Sequence, residues 1–322
     1  MWGFFVINKK KLIFAGNIHE MEKKKRVLVI GANGTLGQTF RHHYCEKIDV
    51  DFAVKQITPN SSDIWFDISE VDTEYANEML TQYDYVVNCA AVTNVDKIES
   101  DYETGNEAFK INAGCVSKLA EWCKTSNTVL VHISTDFVFD GNSYRPYIED
   151  DATKPINKYG ETKVVGERFI RESGCKYFII RTSWLYSEYG NNAFTRIISS
   201  LYKETILNGT DDVIASPTYA RDLVHFICKL ITSENALYGV YHYTNEGVCT
   251  RYDFMLEIHN NIISECVGIY PVRSDRFQCP AKRPFCTALS KEKARMITGN
   301  ILHWKEALHE CISNYRMLEN SK

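Results

Sequence analysis

A tyrosine and a lysine four residues apart are the first side chains in this sequence that could transfer a proton. Tyr159 and Lys163 form a YxxxK pair, and on a helix this spacing puts both side chains on one face. Upstream, the segment HISTDFVFDG contains Ser134, Thr135 and Asp136 directly after a strand-like run. Open α/β folds bind ligands at the carboxyl ends of their strands. The pattern therefore predicts a catalytic group in which Tyr159 transfers a proton, Lys163 supports it and Thr135 orients the substrate oxygen.

The charge of a nearby ammonium is large enough to activate the phenol. An unperturbed tyrosine has a pKa of ~10, so lowering it to about 7 requires roughly 4 kcal/mol. One ammonium about 4 Å away supplies roughly that amount at an effective dielectric constant of about 20. We therefore expect Lys163 to lower the pKa of Tyr159. Lys163 could also hydrogen-bond the ribose of a nicotinamide cofactor.

A glycine-rich turn predicts a site for that cofactor. The segment VLVIGANGTLGQ has Gly31, Gly34 and Gly37 between a strand-like run and the start of a helix. Glycines at this spacing permit a tight turn, close approach of the backbone to a pyrophosphate and close packing of helix on strand. The helix N-terminus offers unpaired N–H groups to the anion. The order of strand, loop and helix makes a dinucleotide site the preferred interpretation.

The choice between NADPH and NADH stays open. The second predicted strand ends near Ile57 without an acidic residue to hold a ribose hydroxyl, while Lys55, Arg41 and His42 are candidate partners for a 2′-phosphate. Asp67 is a candidate contact for the adenine end of the cofactor. An N-cap for a helix starting near residue 69 is an equally good interpretation of Asp67.

These residues need a parallel sheet to bring them together. Short apolar runs alternate with helix-length segments, and strands joined by helical connections favour a parallel sheet covered on both faces. The predicted strands are residues 26–30, 50–57, 84–88, 128–134 and 177–182, and helices are predicted at 69–80 and 106–124. We therefore predict an α/β fold, namely a Rossmann-type doubly wound parallel sheet with a smaller α/β substrate lobe.

The same pattern predicts how the chain is divided. Residues 1–24 share no pattern with the rest of the chain and are interpreted as a leader outside the fold. Residues 25–182 form the predicted NAD(P)-binding domain. Residues 183–322 form mainly the substrate-binding lobe, with segments that return to the sheet.

Composition excludes several classes of protein. Of 322 residues, 44% are hydrophobic and 24% are charged, which is typical of a globular chain. A net charge of −4 gives no basic surface for a nucleic-acid partner. The eleven cysteines lack CxxC or metal-ligand spacing, so we predict free thiols and no metal. Since no apolar run reaches the ~18 residues of a membrane span, we predict a cytoplasmic protein without a membrane partner.

One region is locally basic in this acidic chain. Between residues 251 and 295, eight Lys and Arg stand against five Asp and Glu. A solvated surface explains such an excess. A binding site for a diphosphate also explains it, because clustered guanidinium groups attract anions.

Beyond these patterns, the chain closely resembles the extended short-chain dehydrogenase/reductase family, and within it the dTDP-4-dehydrorhamnose reductases. The resemblance runs from about Arg26 to near Leu308. It is carried, in order, by the segments VVNCAAVTNVDKIES, LVHISTDFVFDG, PYIEDDATKPINKYGETKVVGE, IIRTSWLY, SPTYARDL, GVYHYTNEG and PAKRP.

The resemblance implies a function and a set of site residues. It implies hydride delivery from NADPH or NADH to C4 of a nucleotide-linked 4-keto-6-deoxy sugar, with a second copy of the chain as a candidate partner in a homodimer. By motif match the catalytic residues are Thr135, Tyr159 and Lys163. The cofactor positions are Gly31, Gly34, Thr35, Leu36, Gly37, Asp67, Ile68, Ala91 and Thr93, together with Tyr159 and Lys163. The substrate positions are Thr135, Asp136, Trp184 and Arg283.

Some positions depart from the family pattern. Val92 replaces a usual Tyr or His, Asn94 replaces a small apolar residue, and Val213 and Ala215 replace the usual Gln and Gly. These changes fall at or near the predicted pockets, so they bear on the identity of the sugar more than on the reaction class. His132, at a strand position, is predicted to be a core histidine with satisfied hydrogen bonds.

Two other functions are compatible with the same sequence. The regulatory beta subunit of methionine adenosyltransferase is similar to these reductases and uses the fold as a binding module. Nucleotide-sugar 4-epimerases and dehydratases use related Tyr/Lys chemistry but regenerate their cofactor. Stoichiometric consumption of NAD(P)H separates the reductase from both.

Overall fold

A computed structural model of the protein describes residues 24–59, 61–262 and 267–320. The predicted leader, residues 1–24, lies outside the described residues except for Lys24. The strands are β1 Lys25–Ile30, β2 Ile48–Val54, β3 Ile64–Trp65, β4 Tyr85–Asn88, β5 Val129–Thr135, β6 Tyr177–Thr182, β7 Leu185–Tyr186, β8 Ile206–Thr210, β9 Ile214–Ala215, β10 Thr218–Tyr219, β11 Gly239–His242, β12 Cys249–Thr250 and β13 Gly268–Val272. The helices are α1 Thr35–His43, α2 Glu74–Leu80, α3 Val95–Ser100, α4 Tyr102–Phe109, α5 Cys115–Thr125, α6 Lys158–Ser173, α7 Ala193–Leu201, α8 Ala220–Thr232, α9 Arg251–Ile262, α10 Glu292–Thr298 and α11 Trp304–Asn320.

A seven-stranded parallel sheet contains β1 to β6 and, from later in the chain, β11. Its strand order is β11-β6-β5-β4-β1-β2-β3, and every neighbouring pair in this sheet is parallel. The order reverses between β1 and β4, so the loops after these two strands diverge and leave a crevice at the carboxyl edge. The predicted doubly wound α/β fold is confirmed.

Both faces of the sheet are buried, which explains the uninterrupted apolar runs of the strands. Along β1, Val27 and Val29 pack in one core with helices α1 and α8, while Leu28 and Ile30 pack in a second core with α2 and α5. Successive side chains of a strand point to opposite faces, so a strand covered on both sides has no polar face.

A further core lies outside the sheet. Helices α7, α9 and α11 supply apolar side chains that pack together around Tyr186, Phe194 and Trp304. Strand β11, from the same half of the chain, joins the large sheet beside β6. The apolar packing of these helices is thus separate from the two cores of the sheet, and the predicted division at residue 182 stays a prediction.

Several predicted element bounds are wrong in detail. Strand β2 ends at Val54 rather than at residue 57, because the chain turns after it. The predicted helix 69–80 is a 3₁₀ turn, Ile68–Glu70, followed by α2, since Thr73 caps α2 at its start. The predicted helix 106–124 begins earlier, at Tyr102, and contains the π-helical turn Lys110–Gly114.

Candidate active site

A cavity of about 650 Å³ lies at the carboxyl edge of the sheet, next to the point where the strand order reverses. The loops after β1, β4, β5 and β6 all contribute to its wall. Nine of the predicted site residues line this cavity together, namely Gly34, Thr35, Leu36, Ala91, Thr93, Thr135, Tyr159, Lys163 and Trp184. Residues more than a hundred positions apart in sequence are thus brought to one place by the parallel strands.

The three glycines of the first loop have different surroundings. Gly31 has a φ of +79°, and a Cβ there would lie 2.7 Å from the backbone nitrogen of Ala90. A Cβ on Gly37 would lie 2.4 Å from Cα of Ala32, so this glycine lets α1 pack closely on the loop. Gly34 alone of the three lines the cavity.

The start of α1 fits a pyrophosphate. In the described structure its N-cap, Gly34, makes no side-chain capping bond, and its first turn has no acidic residue. The N-cap side chains of α2, α6 and α7, which are Thr73, Asn157 and Asn192, by contrast accept hydrogen bonds from their helices. The first N–H groups of α1 are therefore available to an anion, and the helix dipole favours one there.

Helix α6 holds Tyr159 and Lys163 against the end of β5. Asn157 caps the helix by accepting a hydrogen bond from the Gly160 N–H at 2.8 Å. Lys163 is 2% exposed, and its ammonium donates to the carbonyl of Ile133 at 2.7 Å. Tyr159 is partly buried, and its ring contacts that of Phe137 edge to face.

The prediction that Lys163 lowers the pKa of Tyr159 is wrong, because the surrounding protein groups together raise this pKa. Burial raises the pKa of the phenol above its ordinary value, and the charge of Asp136 raises it further. A hydrogen bond between the Thr135 side chain and the phenol lowers the pKa but does not reverse the effect. Burial also lowers the pKa of Lys163 to about 8, against the opposing charge of Glu167. Desolvation, rather than the charge of Lys163 on which the sequence-based expectation depended, therefore controls the pKa of the phenol.

Asp136 lies beneath the cavity rather than in its wall. The residue is 2% exposed, and its carboxyl group accepts hydrogen bonds from the hydroxyl groups of Ser183 and Thr287. The Thr135 hydroxyl donates to Asp136 at 3.1 Å and accepts from the Phe137 N–H at 3.2 Å. In this arrangement Asp136 fixes the orientation of Thr135, and direct contact of Asp136 with a sugar stays a prediction.

Asp67, the predicted contact for the adenine end, and the predicted cofactor residue Ile68 do not line this cavity. Asp67 accepts a hydrogen bond from the Ser69 N–H at 2.9 Å, as an N-cap does, and forms an ion pair with Lys55 at 2.9 Å. Ile68 is buried in one of the two cores of the sheet. Their roles in cofactor binding stay predictions.

The candidate 2′-phosphate partners all have partners within the protein. Lys55 pairs with Asp67. Arg41 forms a bidentate pair with Asp63 at 2.6 and 2.7 Å, and the ring of His42 stacks on that of Tyr189 at 4.4 Å. These contacts do not select between NADPH and NADH.

A second cavity, of about 1030 Å³, adjoins the first and shares Arg196 and Arg251 with it. Arg283 lines only the second cavity, and its guanidinium forms a bidentate pair with Asp96 at 2.5 Å. Arg251 lies over the ring of Trp184 at 4.7 Å. Burial and the nearby charges of Arg283 and Arg196 lower the pKa of Arg251. Among the described residues, neither Arg196 nor Arg251 forms an ion pair with a carboxylate, so both are available to an anion.

Sequence reasoning missed three residues of this region. Arg196 carried no sequence signal, and Arg251 was marked only by the basic excess of residues 251–295. Asn112, in the π-helical turn, is completely buried, accepts from the Val92 N–H at 2.9 Å and donates to Thr162 at 3.0 Å. It therefore fixes the loop after β4 against α6, and such turns recur at functional sites.

Two of the four departures from the family pattern line the second cavity. Asn94 and Val213 line it, and Asn94 also caps α3 by accepting from the Lys97 N–H. Val92 is held through its backbone by Asn112. Ala215 pairs with Cys249 in a short antiparallel sheet.

Neither a metal cluster nor a membrane helix occurs in the described part of the chain. Within residues 24–59, 61–262 and 267–320, no group of three or more His, Cys, Asp or Glu side chains could hold a metal ion. In the same ranges, no helix combines the length and the apolar character that a membrane span requires.

Comparison with known proteins identifies the family. Residues 25–317 match the family described as RmlD substrate binding domain. The dTDP-4-dehydrorhamnose reductase of Aggregatibacter actinomycetemcomitans is 31% identical over 88% of this chain and 97% of its own length. The crystal structure of dTDP-4-dehydrorhamnose reductase from Bacillus anthracis in complex with NADP aligns with a TM-score of 0.81 and 32% identity, covering 90% of this chain and 99% of that one.

Other solved structures agree in fold. The dTDP-4-dehydrorhamnose reductase of Clostridium acetobutylicum is 34% identical, with a TM-score of 0.81 over 90% of this chain and 99% of its own. The dTDP-glucose 4,6-dehydratase of Streptomyces venezuelae, at 16% identity, TM-score 0.74 and coverage of 91% and 97%, shares the fold alone. The family match, the identities and the coverage agree with one another. The chain belongs to the dTDP-4-dehydrorhamnose reductase family of NAD(P)H-dependent oxidoreductases, as its sequence motifs predicted.

Proposed function

We propose that this protein reduces the C4 keto group of a nucleotide-linked 4-keto-6-deoxy sugar with NADPH or NADH. Within this class we favour dTDP-4-dehydrorhamnose, as a step of dTDP-L-rhamnose biosynthesis. The observation that carries the proposal is that Thr135, Tyr159 and Lys163 share one cavity with the glycine loop of a reductase family member. The NADP in the Bacillus anthracis relative supports a nicotinamide dinucleotide at this loop.

The chain contributes proton transfer and orientation to this reaction. When bound, NAD(P)H supplies the hydride. Tyr159 donates its proton to the sugar oxygen, and burial keeps the phenol protonated at neutral pH, which is the form a general acid requires. Thr135, whose hydroxyl donates to Asp136 in this structure, would orient that oxygen by turning its hydrogen toward it. Lys163 stabilises the phenolate as it forms and can hydrogen-bond the cofactor ribose.

We propose that the diphosphate of the substrate lies against Arg196 and Arg251, where the two cavities meet. Both guanidinium groups line both cavities. Bidentate guanidinium contacts are strong anion contacts in proteins. Arg283, whose charge is balanced by Asp96, is a weaker candidate. The nucleoside would then occupy the second cavity and the sugar the first, near Trp184.

The proposal also covers the cellular location and the oligomeric state of the enzyme. We propose a cytoplasmic location, since the ten cysteines of the described ranges are all unpaired thiols, as a reducing compartment requires. A homodimer stays a prediction.

The decisive experiment is a panel of 4-keto nucleotide sugars given to the purified protein with NADPH or NADH. We expect one equivalent of NAD(P)H to be oxidised per sugar reduced, with dTDP-4-keto-6-deoxy-L-mannose among the substrates. Tyr159→Phe should lose about 10² to 10⁴ in kcat while it still binds cofactor. Sugar conversion without net oxidation would instead identify an epimerase or dehydratase. Absence of turnover combined with tight binding to a synthetase would identify a regulatory subunit.

A further inference from the structure

His132 touches the buried ammonium that the reaction depends on. It lies on β5 with no exposed surface, and its Nε2 is 3.1 Å from Nζ of Lys163. Among the described residues, this ammonium also donates a hydrogen bond to the carbonyl of Ile133, at 2.7 Å. The histidine that was predicted to be a core residue therefore contacts the amine of Lys163 directly.

The other ring nitrogen of His132 is controlled by Asn88. The Ala90 N–H donates to Oδ1 of Asn88 at 3.1 Å, which turns the Asn88 NH₂ group toward Nδ1 of His132 at 3.3 Å. An amide NH₂ group only donates, so Nδ1 must accept. The ring hydrogen then lies on Nε2 and points at Lys163, because the bond made by one ring nitrogen decides the state of the other.

This arrangement has different consequences for the two states of Lys163. A neutral amine can accept the hydrogen of Nε2, and Asn88, His132 and Lys163 then all have a suitable hydrogen-bond partner. An ammonium has no lone pair and can only donate. When Lys163 is charged, the ring hydrogen must therefore move to Nδ1, where it faces the Asn88 NH₂ group and the hydrogen bond between them is lost.

We propose that His132, oriented by Asn88, is a positioning residue that sets the pH range in which Lys163 is charged. Charging of Lys163 and loss of the Asn88 to His132 hydrogen bond are one coupled event. This inference rests on the proposed role of Lys163. The residues that set the protonation of Lys163, His132 and Asn88, lie on strands β5 and β4 rather than on its own helix.

The remaining groups around Lys163 act through charge. Glu167, one turn further along α6, favours the ammonium and is itself held by Ser134 at 2.6 Å and by Arg181 at 2.8 Å. Burial, followed by the charge of Lys163, lowers the pKa of His132 far enough to keep its ring neutral, so the ring changes tautomer rather than charge. Among the described residues, Cys89 after β4 also faces Lys163, as a neutral thiol whose pKa burial raises to about 12. Tyr159 lies on the helix of Lys163, and the charge of Asp136, after β5, acts on Tyr159.

The test is a substitution that reverses the preference of Nδ1. In Asn88→Asp, one carboxylate oxygen still accepts from the Ala90 N–H, while the other accepts from Nδ1–H, which leaves Nε2 free to accept from the ammonium. We expect the alkaline limb of the kcat/KM profile to move up by about one pH unit, the size of one hydrogen bond. The added negative charge alone would also move the alkaline limb. Asn88→Asp is therefore also made in a His132→Phe background. Equal shifts in the two backgrounds would overturn the proposal.

A measurement without turnover separates this inference from the proposed function. The ¹⁵N shifts of the His132 ring distinguish the two tautomers in the unmodified protein. We expect the ring hydrogen to move from Nδ1 to Nε2 as pH rises, with the same midpoint as the titration of Lys163. A tautomer that does not change across that titration would refute the inference even in an active reductase. An inactive protein with the expected tautomer change would refute only the proposed function.

Discussion

Burial controls the protonation of the two proton-handling side chains in opposite ways. It raises the pKa of Tyr159 and lowers the pKa of Lys163, because in each case the charged form loses solvation. At neutral pH the phenol is therefore protonated and ready to donate. The ammonium, with a pKa of about 8, is charged but close to its titration range.

The first prediction concerns the pKa of Lys163. Because this group is charged only below a pKa of about 8, kcat/KM for the nucleotide sugar should fall as pH rises through that value. The measurement is a pH profile of NAD(P)H oxidation at subsaturating sugar. Lys163→Met is the matched variant, in which this limb should disappear along with most of the rate. Activity that declined only near the ordinary pKa of a lysine would contradict the prediction.

The loop between β1 and α1 combines a packing glycine with a ligand-facing one. Gly37 has no room for a Cβ because the backbone of Ala32 is too close. At Gly34 the nearest atom to an added Cβ is the carbonyl oxygen of Gly31, at 3.4 Å. The same residue type therefore serves packing at one end of the turn and access to the cavity at the other.

The second prediction compares alanine at these two positions. Gly37→Ala should lower the free energy of unfolding by about 1–3 kcal/mol, because α1 must move away from the loop. Gly34→Ala should change it by less than about 1 kcal/mol, because its backbone conformation suits alanine. Gly34→Ala should instead weaken NAD(P)H binding. Urea unfolding and a fluorescence titration with NAD(P)H measure the two effects, and equal destabilisation of both variants would refute this distinction.

The reaction site as a whole lies between two regions of packing. Helix α6, which packs on the large sheet, contributes Tyr159 and Lys163, while α7 and α9 contribute Arg196 and Arg251 from the other side. Substrate affinity and proton transfer are therefore separable, because different parts of the molecule supply them.

The third prediction tests this separation. Arg251→Met should raise KM for the nucleotide sugar about 10- to 100-fold, the range expected from one charged hydrogen-bond partner. NAD(P)H affinity should be unchanged. Arg276→Met, which removes an exposed arginine outside both cavities, is the matched control. Steady-state kinetics at saturating cofactor measures the effect. If Arg283→Met raised KM and Arg251→Met did not, the diphosphate site would be assigned to Arg283 instead of Arg251.

Local sequence patterns determined the fold class, the glycine loop and the Tyr159–Lys163 pair of the cavity wall. The apolar runs of β1 and β4 are continuous because both faces of the sheet are buried, so the parallel sheet could be predicted from them. The glycine loop and the YxxxK pair could be predicted because a turn and a helix are encoded by nearby residues. These features require only short stretches of chain.

Only the tertiary structure decided how the site residues are used. The bidentate pair of Arg283 joins residues 187 positions apart, and the burial of Asp136 depends on Thr287, 151 positions away. The raised pKa of Tyr159 and the contact of His132 with Lys163 likewise depend on packing between elements. Desolvation and long-range pairing arise only when distant segments meet. The sequence by itself therefore determined the glycine loop and the Tyr159–Lys163 pair, and the folded chain determined which other groups join them, with which partners and in which protonation state.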